Sequence, residues 1–384
     1  MDNHSIASVS EISFRSKGIM EKRKIRVGII GLQPKRSWAA VAHLPGLRRL
    51  SDKFEIVGVA NRRYESTLAA ARECKIPQAF KSVAELVQSP DIDLVTVTVR
   101  VPNHKEVLEQ ALAAGKAIYC EWPLAVDFAE AERLVEMAKQ KGVRTFIGTQ
   151  VIANPQLALI RKVLSEGKIG RVLSHSLIGY GRINGAEITD EATERYLLDK
   201  TTGATMLTIS VMHTLVALQY VSGKINSFNS LLATARPQIY SRERQGYVPM
   251  TAADEAGMQG FLADGSVFSL HYSGGMPYDD KGFLWEIIGS EGTLRISALS
   301  GAVQIENLKI TLCRKGETAF SEITVSEQSL TGFGQDFIAG NLHRMYVGVW
   351  QDILTGSHMV PDFSDALELH RILDRIKATA LRKA

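Results

Sequence analysis

The stretch RVGIIGLQPKRSWA, residues 26–39, turns a short apolar run into a loop rich in groups that can meet an anion. Gly31 stands where a dinucleotide-binding turn starts. In such a turn the first glycine makes the bend, the second admits a pyrophosphate to the backbone, and the third lets helix meet strand. Here Gln33 occupies the second position and Ser37 falls near the third, in a longer loop that also carries Lys35 and Arg36. A plain strand-to-helix connection fits the same residues. The N–H groups of a helix start and two flanking cations still suit a phosphate.

Three further groups bear on chemistry. A second strand ends in Asn61-Arg62-Arg63. An acidic residue there would grip ribose hydroxyls and repel a 2′-phosphate, whereas guanidinium groups match phosphate geometry. Any dinucleotide held here is therefore expected to be the phosphorylated form, NADP rather than NAD. Pro102, Asn103 and His104 follow a fourth strand at its carboxyl end, where doubly wound sheets bind ligands; a helix cap and a solvated first-turn residue is the plainer reading. His213 offers an imidazole suited to proton transfer near neutrality, or else a core histidine satisfied by the backbone. Asp254-Glu255 is no catalytic carboxylate pair, because neighbours on a strand point to opposite faces.

The elements that position these residues come from periodicity. Strands at 24–31 and 54–63, one opening the stretch 78–93, one opening 93–116, one within 117–125 and one at 143–150 alternate with helices at 37–50, 64–75 and 128–141 and others between. That is the pattern of a right-handed βαβ series with a parallel sheet. Residues 24–150 are read as a doubly wound α/β (Rossmann) domain. After Asn154-Pro155 the pattern changes. A helix at 155–167 precedes β-rich segments at 171–183, 225–236, 254–263, 266–275, 283–289 and 292–297, with helices at 203–222, 331–353 and a closing one at 364–381. Residues 151–384 thus read as an α+β domain with an open, largely antiparallel sheet.

Composition narrows the function classes. With 384 residues, 45% apolar and 22% charged, the chain suits two folded domains. A formal charge of +4 without a basic block argues against nucleic acid. No apolar run approaches the ~18 residues a membrane span needs. The 3 cysteines are scattered without metal-ligand spacing, which implies no metal site and suits the reducing cytoplasm. Residues 1–23, Ser-rich and without an apolar core segment, are expected to be a disordered leader, with a targeting role as the rival reading.

Several segments together carry a resemblance. RVGIIG, VPNHKEVLEQALAAGKAIYCEWPLA, EGKIGRV and IIGSEGTLRIS follow one another in the order and spacing of the glucose–fructose oxidoreductase, inositol dehydrogenase and MocA family. The segments GLQPKRSWAAVAHLPGL, CEWPLA, VMHTLVALQYVSG, MQGFLADGSV, AGNLHRMY and DALELHRIL are similar to its branch containing the yeast galactose-pathway repressor. The resemblance runs from about residue 24 to the C-terminus. It implies a nicotinamide-dinucleotide domain, a second domain whose sheet covers the active site and forms a homodimer, and oxidation or reduction of a sugar, cyclitol or other cyclic small molecule. It puts the 102–104 loop and Trp122 at the nicotinamide end, with Glu121 there or holding a neighbouring group, and Trp38 either over the pyrophosphate or packed on the sheet. His213 matches the family's histidine, and Tyr180 and Tyr196 fall where substrate contacts are expected.

The chain departs from the family where chemistry counts. The family's Glu-Lys-Pro is Glu121-Trp122-Pro123, and the aspartate a turn before its histidine is Ile209. An indole exchanges no proton near neutrality, although its N–H can donate and its face can stack. Two expectations follow. One is an NADP- or NAD-dependent oxidoreductase with His213 as the proton-transfer residue. The alternative is a non-catalytic nucleotide-binding regulator that takes a protein partner. His343, Tyr346 and Trp350 read as packing.

Overall fold

A computed structural model describes residues 23–181, 187–275, 282–330, 332–334 and 336–381. All but the last residue of the expected leader at 1–23 therefore lies outside the described residues.

Six strands, β1 (Ile25–Ile30), β2 (Phe54–Ala60), β3 (Gln78–Ala79), β4 (Leu94–Val97), β5 (Ala117–Glu121) and β6 (Thr145–Gly148), form a parallel sheet in the order β3-β2-β1-β4-β5-β6. Near-continuous apolar runs such as IRVGII and LVTV are what burial on both faces requires. The intervening helices are α1 (Leu44–Arg48), α2 (Tyr64–Glu73), α3 (Val83–Gln88), α4 (His104–Ala113) and α5 (Phe128–Lys141). Local chemistry sets their ends. Asp127 caps α5 by accepting from the Glu130 N–H, and Gly142 at φ 61° stops it. The expected helix at 37–50 is two pieces, a π-helical turn at Ala39–His43 and then α1.

Asn154 caps α6 (Pro155–Ser165), which leads into the second half. There β7 (Val172–Gly181), β8 (Glu187–Ile188), α7 (Glu191–Glu194), α8 (Met212–Ser222), β9 (Ile225–Ala233), β10 (Gln238–Ser241), β11 (Gly246–Pro249), β12 (Glu255–Leu262), β13 (Val267–Gly274), β14 (Phe283–Gly289), β15 (Gly292–Ala298), β16 (Lys309–Arg314) and β17 (Ser321–Ile323) follow. Eight of these strands build one sheet in the order β17-β16-β15-β14-β7-β13-β12-β9. Its pairings are antiparallel except β7 with β13. A three-stranded sheet, β11-β10-β8, stands beside it. The expected helix at 203–222 divides into a left-handed Gly203 (φ 72°), a π-helical turn at Leu207–Val211 and α8.

The last two helices return to the first half. In α9 (Phe337–Thr355), Leu342, Met345, Tyr346 and Val349 share a core with Val27 and Ile29 of β1 and Phe54 of β2. Asp362 and Asp365 form a capping box at the start of α10 (Phe363–Thr379), which packs on α5, β6 and β9.

Candidate functional site

The carboxyl ends of β1, β4 and β5 converge where a doubly wound sheet receives ligands. Gly31, at φ 101°, makes the turn after β1; a Cβ there would sit 2.8 Å from the Val99 backbone nitrogen, so only glycine fits. Beyond it the loop closes on itself. The Gln33 N–H donates to Ser37 Oγ at 2.9 Å, and that hydroxyl donates back to the Gln33 carbonyl at 2.8 Å. The Gln33 amide is thus already engaged. Trp38 is half-buried against the β1 core, and its Nε1 has no hydrogen-bond partner among the described residues.

At the end of β2, Asn61 Nδ2 donates to the Leu32 and Ser66 carbonyls at 2.8 and 3.2 Å, tying this corner to the glycine loop. Arg62 and Arg63 are exposed at the start of α2, and no ion pair holds either among the described residues. Pro102 and Asn103 are exposed in a 3₁₀ turn at Val101–Asn103. His104 is different. It is buried, with Nε2 2.9 Å from the Val99 carbonyl and Nδ1 3.2 Å from that of Leu124. Burial lowers its pKa. The expectation of a ligand contact or a solvated residue is corrected: His104 staples the loop after β4 to the loop after β5.

Glu121 ends β5 with its side chain 14% exposed. Its Oε1 accepts from His43 Nε2 at 3.0 Å, while His43 Nδ1 lies 2.8 Å from the Tyr346 hydroxyl, itself 3.1 Å from Thr96 Oγ1. Gly148 on β6 makes room, since a Cβ would meet Oε1 at 2.6 Å. Trp122 does not present its indole to the site. Only 6% exposed, it donates Nε1–H to the Thr208 carbonyl at 2.7 Å and rests on His370 of α10, ring centroids 4.8 Å apart. Its donor is used inside the protein, and its ring is covered by a tilted contact with His370.

From the second half, His213 lies at the start of α8, one turn after Ile209. It is 3% exposed, its Nδ1 has no partner among the described residues, and burial lowers its pKa to about 3. Ile209 and Tyr196 pack with Val101, Val126, Leu197 and Ala204, an apolar group joining the loops after β4 and β5 to the segment before α8. Arg100 lies 4.6 Å over the Tyr196 ring, and burial raises the pKa of that phenol. Two cations bridge the halves: Arg36 pairs with Asp190, and Arg100 donates to the Ala192 carbonyl. Tyr180 is not brought to this place. It shares the sheet face of Ser176 and Ile178, opposite Tyr272, whose hydroxyl bonds Thr214 of α8 at 2.6 Å. Its expected proximity to His213 is corrected by strand alternation.

Sequence reasoning missed His43, Tyr346 as a hydrogen-bonding group, and His370. A histidine inside the apolar AVAHLPGL was the available signal for the first. The others are joined to the site only by distant parts of the chain. A nicotinamide dinucleotide fits what is present: a glycine-only turn after β1, two exposed arginines with no ion pair among the described residues at the β2 end, and a partly exposed Glu121 at the β5 end.

A 3-2-1-4-5-6 parallel sheet with a glycine turn, joined to an open mixed sheet beside a helix, α8, that carries His213, has the arrangement of the dinucleotide-binding class of α/β folds. Residues 25–149 match the oxidoreductase family with an NAD-binding Rossmann fold, and residues 155–298 match the C-terminal domain of Gal80p. The chain is 30% identical over 308 residues to the galactose/lactose metabolism regulatory protein GAL80 of Kluyveromyces lactis, covering 76% of this chain and 67% of that protein. It is 27% identical over 374 residues to the dehydrogenase aclE of Aspergillus oryzae, covering 93% and 96% of the two. The crystal structure of Gal80p from the same Kluyveromyces species superposes with a TM-score of 0.82 at 27% identity, covering 94% of this chain and 93% of that one. This chain belongs to the glucose–fructose oxidoreductase, inositol dehydrogenase and MocA family, in a branch resembling Gal80.

Proposed function

We propose that this chain binds NADP(H) between its two halves and acts as an oxidoreductase on a cyclic small molecule, a sugar, a cyclitol or another ring. The observation that carries this reading is the buried His213 with its unpaired Nδ1. A buried polar atom without a partner costs about 1–3 kcal/mol, and a bound ligand that pairs it removes that cost. In the proposed complex the Gly31 turn and Ser37 loop approach the pyrophosphate, with Trp38 beside it. Arg62 and Arg63 take the 2′-phosphate, Asn61 lines the adenosine ribose, and Pro102, Asn103 and Glu121 border the nicotinamide half. The nicotinamide, when bound, supplies or accepts a hydride.

The apolar group around Ile209 and Tyr196 suits one face of a ring substrate, and His213 addresses its oxygen. With its pKa at about 3 the imidazole stays neutral near pH 7, so it serves as a hydrogen-bonding partner and a weak base. Tyr196 takes a substrate contact at most, since Arg100 already covers its ring.

A second reading is favoured by Trp122 and Ile209. With the indole N–H committed to Thr208 and no carboxylate on the helix, the site holds nucleotide without chemistry and serves a regulator that binds a protein partner. Titration with NADPH, followed by a screen of sugars, cyclitols and cyclic ketones in both directions, separates the readings. Turnover abolished in His213→Ala supports the first. Tight binding with no turnover leaves the second, and no binding removes both.

Exposed Ile178, Leu231, Phe261, Val267 and Ile288 share one face of the large sheet, and we assign this face to a homodimer contact. The proposed setting is the cytoplasm, where the three unpaired cysteines stay reduced. No helix among the described residues is long and apolar enough to cross a membrane.

A further inference from the structure

The geometry points to His43 as the positioning residue that turns Glu121 toward the nicotinamide carboxamide, with Tyr346 behind it; the inference rests on the nucleotide reading above. His43 closes the π-helical turn after the phosphate loop and is fully buried. Edge-on contacts with Tyr119 and Tyr346, at 5.5 and 5.8 Å between ring centroids, fix its plane.

Proton counting gives the chain of contacts a direction. A carboxylate only accepts, so the ring proton belongs on His43 Nε2, which faces Glu121 Oε1 at 3.0 Å. With one ring proton, Nδ1 accepts from the Tyr346 hydroxyl at 2.8 Å. The Tyr346 oxygen in turn accepts from Thr96 Oγ1 at 3.1 Å. Thr96, Tyr346 and His43 thus point their donors one way, from the core of the sheet to the Glu121 carboxylate at the ligand-binding edge. Oε1 is committed, while Oε2 has no hydrogen-bond partner among the described residues and the side chain keeps 14% of its surface exposed. Oε2 is therefore the oxygen presented outward, and it recognises a neutral N–H or O–H donor. At the end of a pyridine nucleotide remote from the 2′-phosphate, the carboxamide amino group is such a donor. No local sequence pattern announces this arrangement, because it is assembled from β4, β5, the turn at Ala39–His43 and α9.

The test is a pair of titrations on the full-length protein, with NADPH and with 2′-phospho-ADP-ribose, which lacks the nicotinamide. The variants are His43→Gln and Tyr346→Phe. The second keeps ring and volume and removes one hydroxyl, so it carries the test if the first does not fold. The expected result is a Kd for NADPH raised about tenfold, with the Kd for 2′-phospho-ADP-ribose unchanged. Equal weakening of the two ligands would mean a packing role and overturn the inference, as would unchanged NADPH binding. Failure of the parent protein to bind either ligand would overturn the nucleotide reading itself, and this inference with it.

Discussion

Replacing Trp122 by Phe isolates what the indole does in place of the family's lysine. The Nε1–H reaches 2.7 Å across to the Thr208 carbonyl in the π-helical turn before α8, and Thr208 is itself buried. Phenylalanine cannot donate, so the carbonyl loses its partner in a dry place, at about 1–3 kcal/mol. The smaller ring also leaves a gap against His370. A void of a few tens of Å³, at roughly 24 cal/mol per Å³, adds about 1 kcal/mol. The expected loss is about 2–4 kcal/mol. Urea unfolding followed by circular dichroism reads it as a lower midpoint at constant slope. A loss below about 1 kcal/mol at constant slope would refute the reasoning, because a spent hydrogen bond and a buried ring contact cannot vanish so cheaply. The indole would then be free for a ligand.

Other outcomes follow from the same geometry. Burial lowers His213 to about 3 and His175 to about 4; burial, with Lys377 adding to it, lowers His370 to about 4, all from 6.5. Each prefers to be neutral in the fold, so its contribution is complete above pH 6.5 and is lost as the pH falls toward those values, at roughly 1.4 kcal/mol per pH unit per histidine. The unfolding midpoint should drop steeply from pH 6.5 to 4.5, less so in His370→Leu; equal slopes in the two proteins contradict this. Arg62→Ala with Arg63→Ala should raise the Kd for NADPH about tenfold or more and leave that for NADH unchanged, measured by nucleotide fluorescence. Phe261→Lys on the outer sheet face should convert a dimer to a monomer in sedimentation velocity, and an unchanged sedimentation coefficient would remove that face from the interface.

Much of the first half was legible because its signals are local. The α5 span of 128–141 is marked by Asp127 before it and Gly142 after it, and in the second half β14 at 283–289 was legible in the same way. The β10–β11 hairpin was not foreseen. Its turn, Arg-Glu-Arg-Gln, puts Gln245 at φ 53° where a glycine or asparagine would normally advertise the reversal. The strand KITLCR alternates, with Ile310 and Leu312 turned inward, yet it was not foreseen, and the edge strand SEI is too short to show a period. Nor does a 3.6-residue period reveal that 207–211 is wound as a π-turn. The glycine turn and the Asn61-Arg62-Arg63 corner lie in contiguous segments and could be proposed from sequence. The Glu121 environment joins residues 43, 96, 121 and 346, and only the fold brings them together.

The return of α9 and α10 to the first half bears on how the molecule is made. Val27, Ile29 and Phe54 are covered by Leu342, Met345 and Val349, and α10 lies along α5 and β6. A ribosome that has released residue 150 has therefore delivered a sheet whose apolar flanks must wait for nearly two hundred more residues. The first half is thus completed by two helices that lie about two hundred residues further along the chain, so its core cannot close until they arrive.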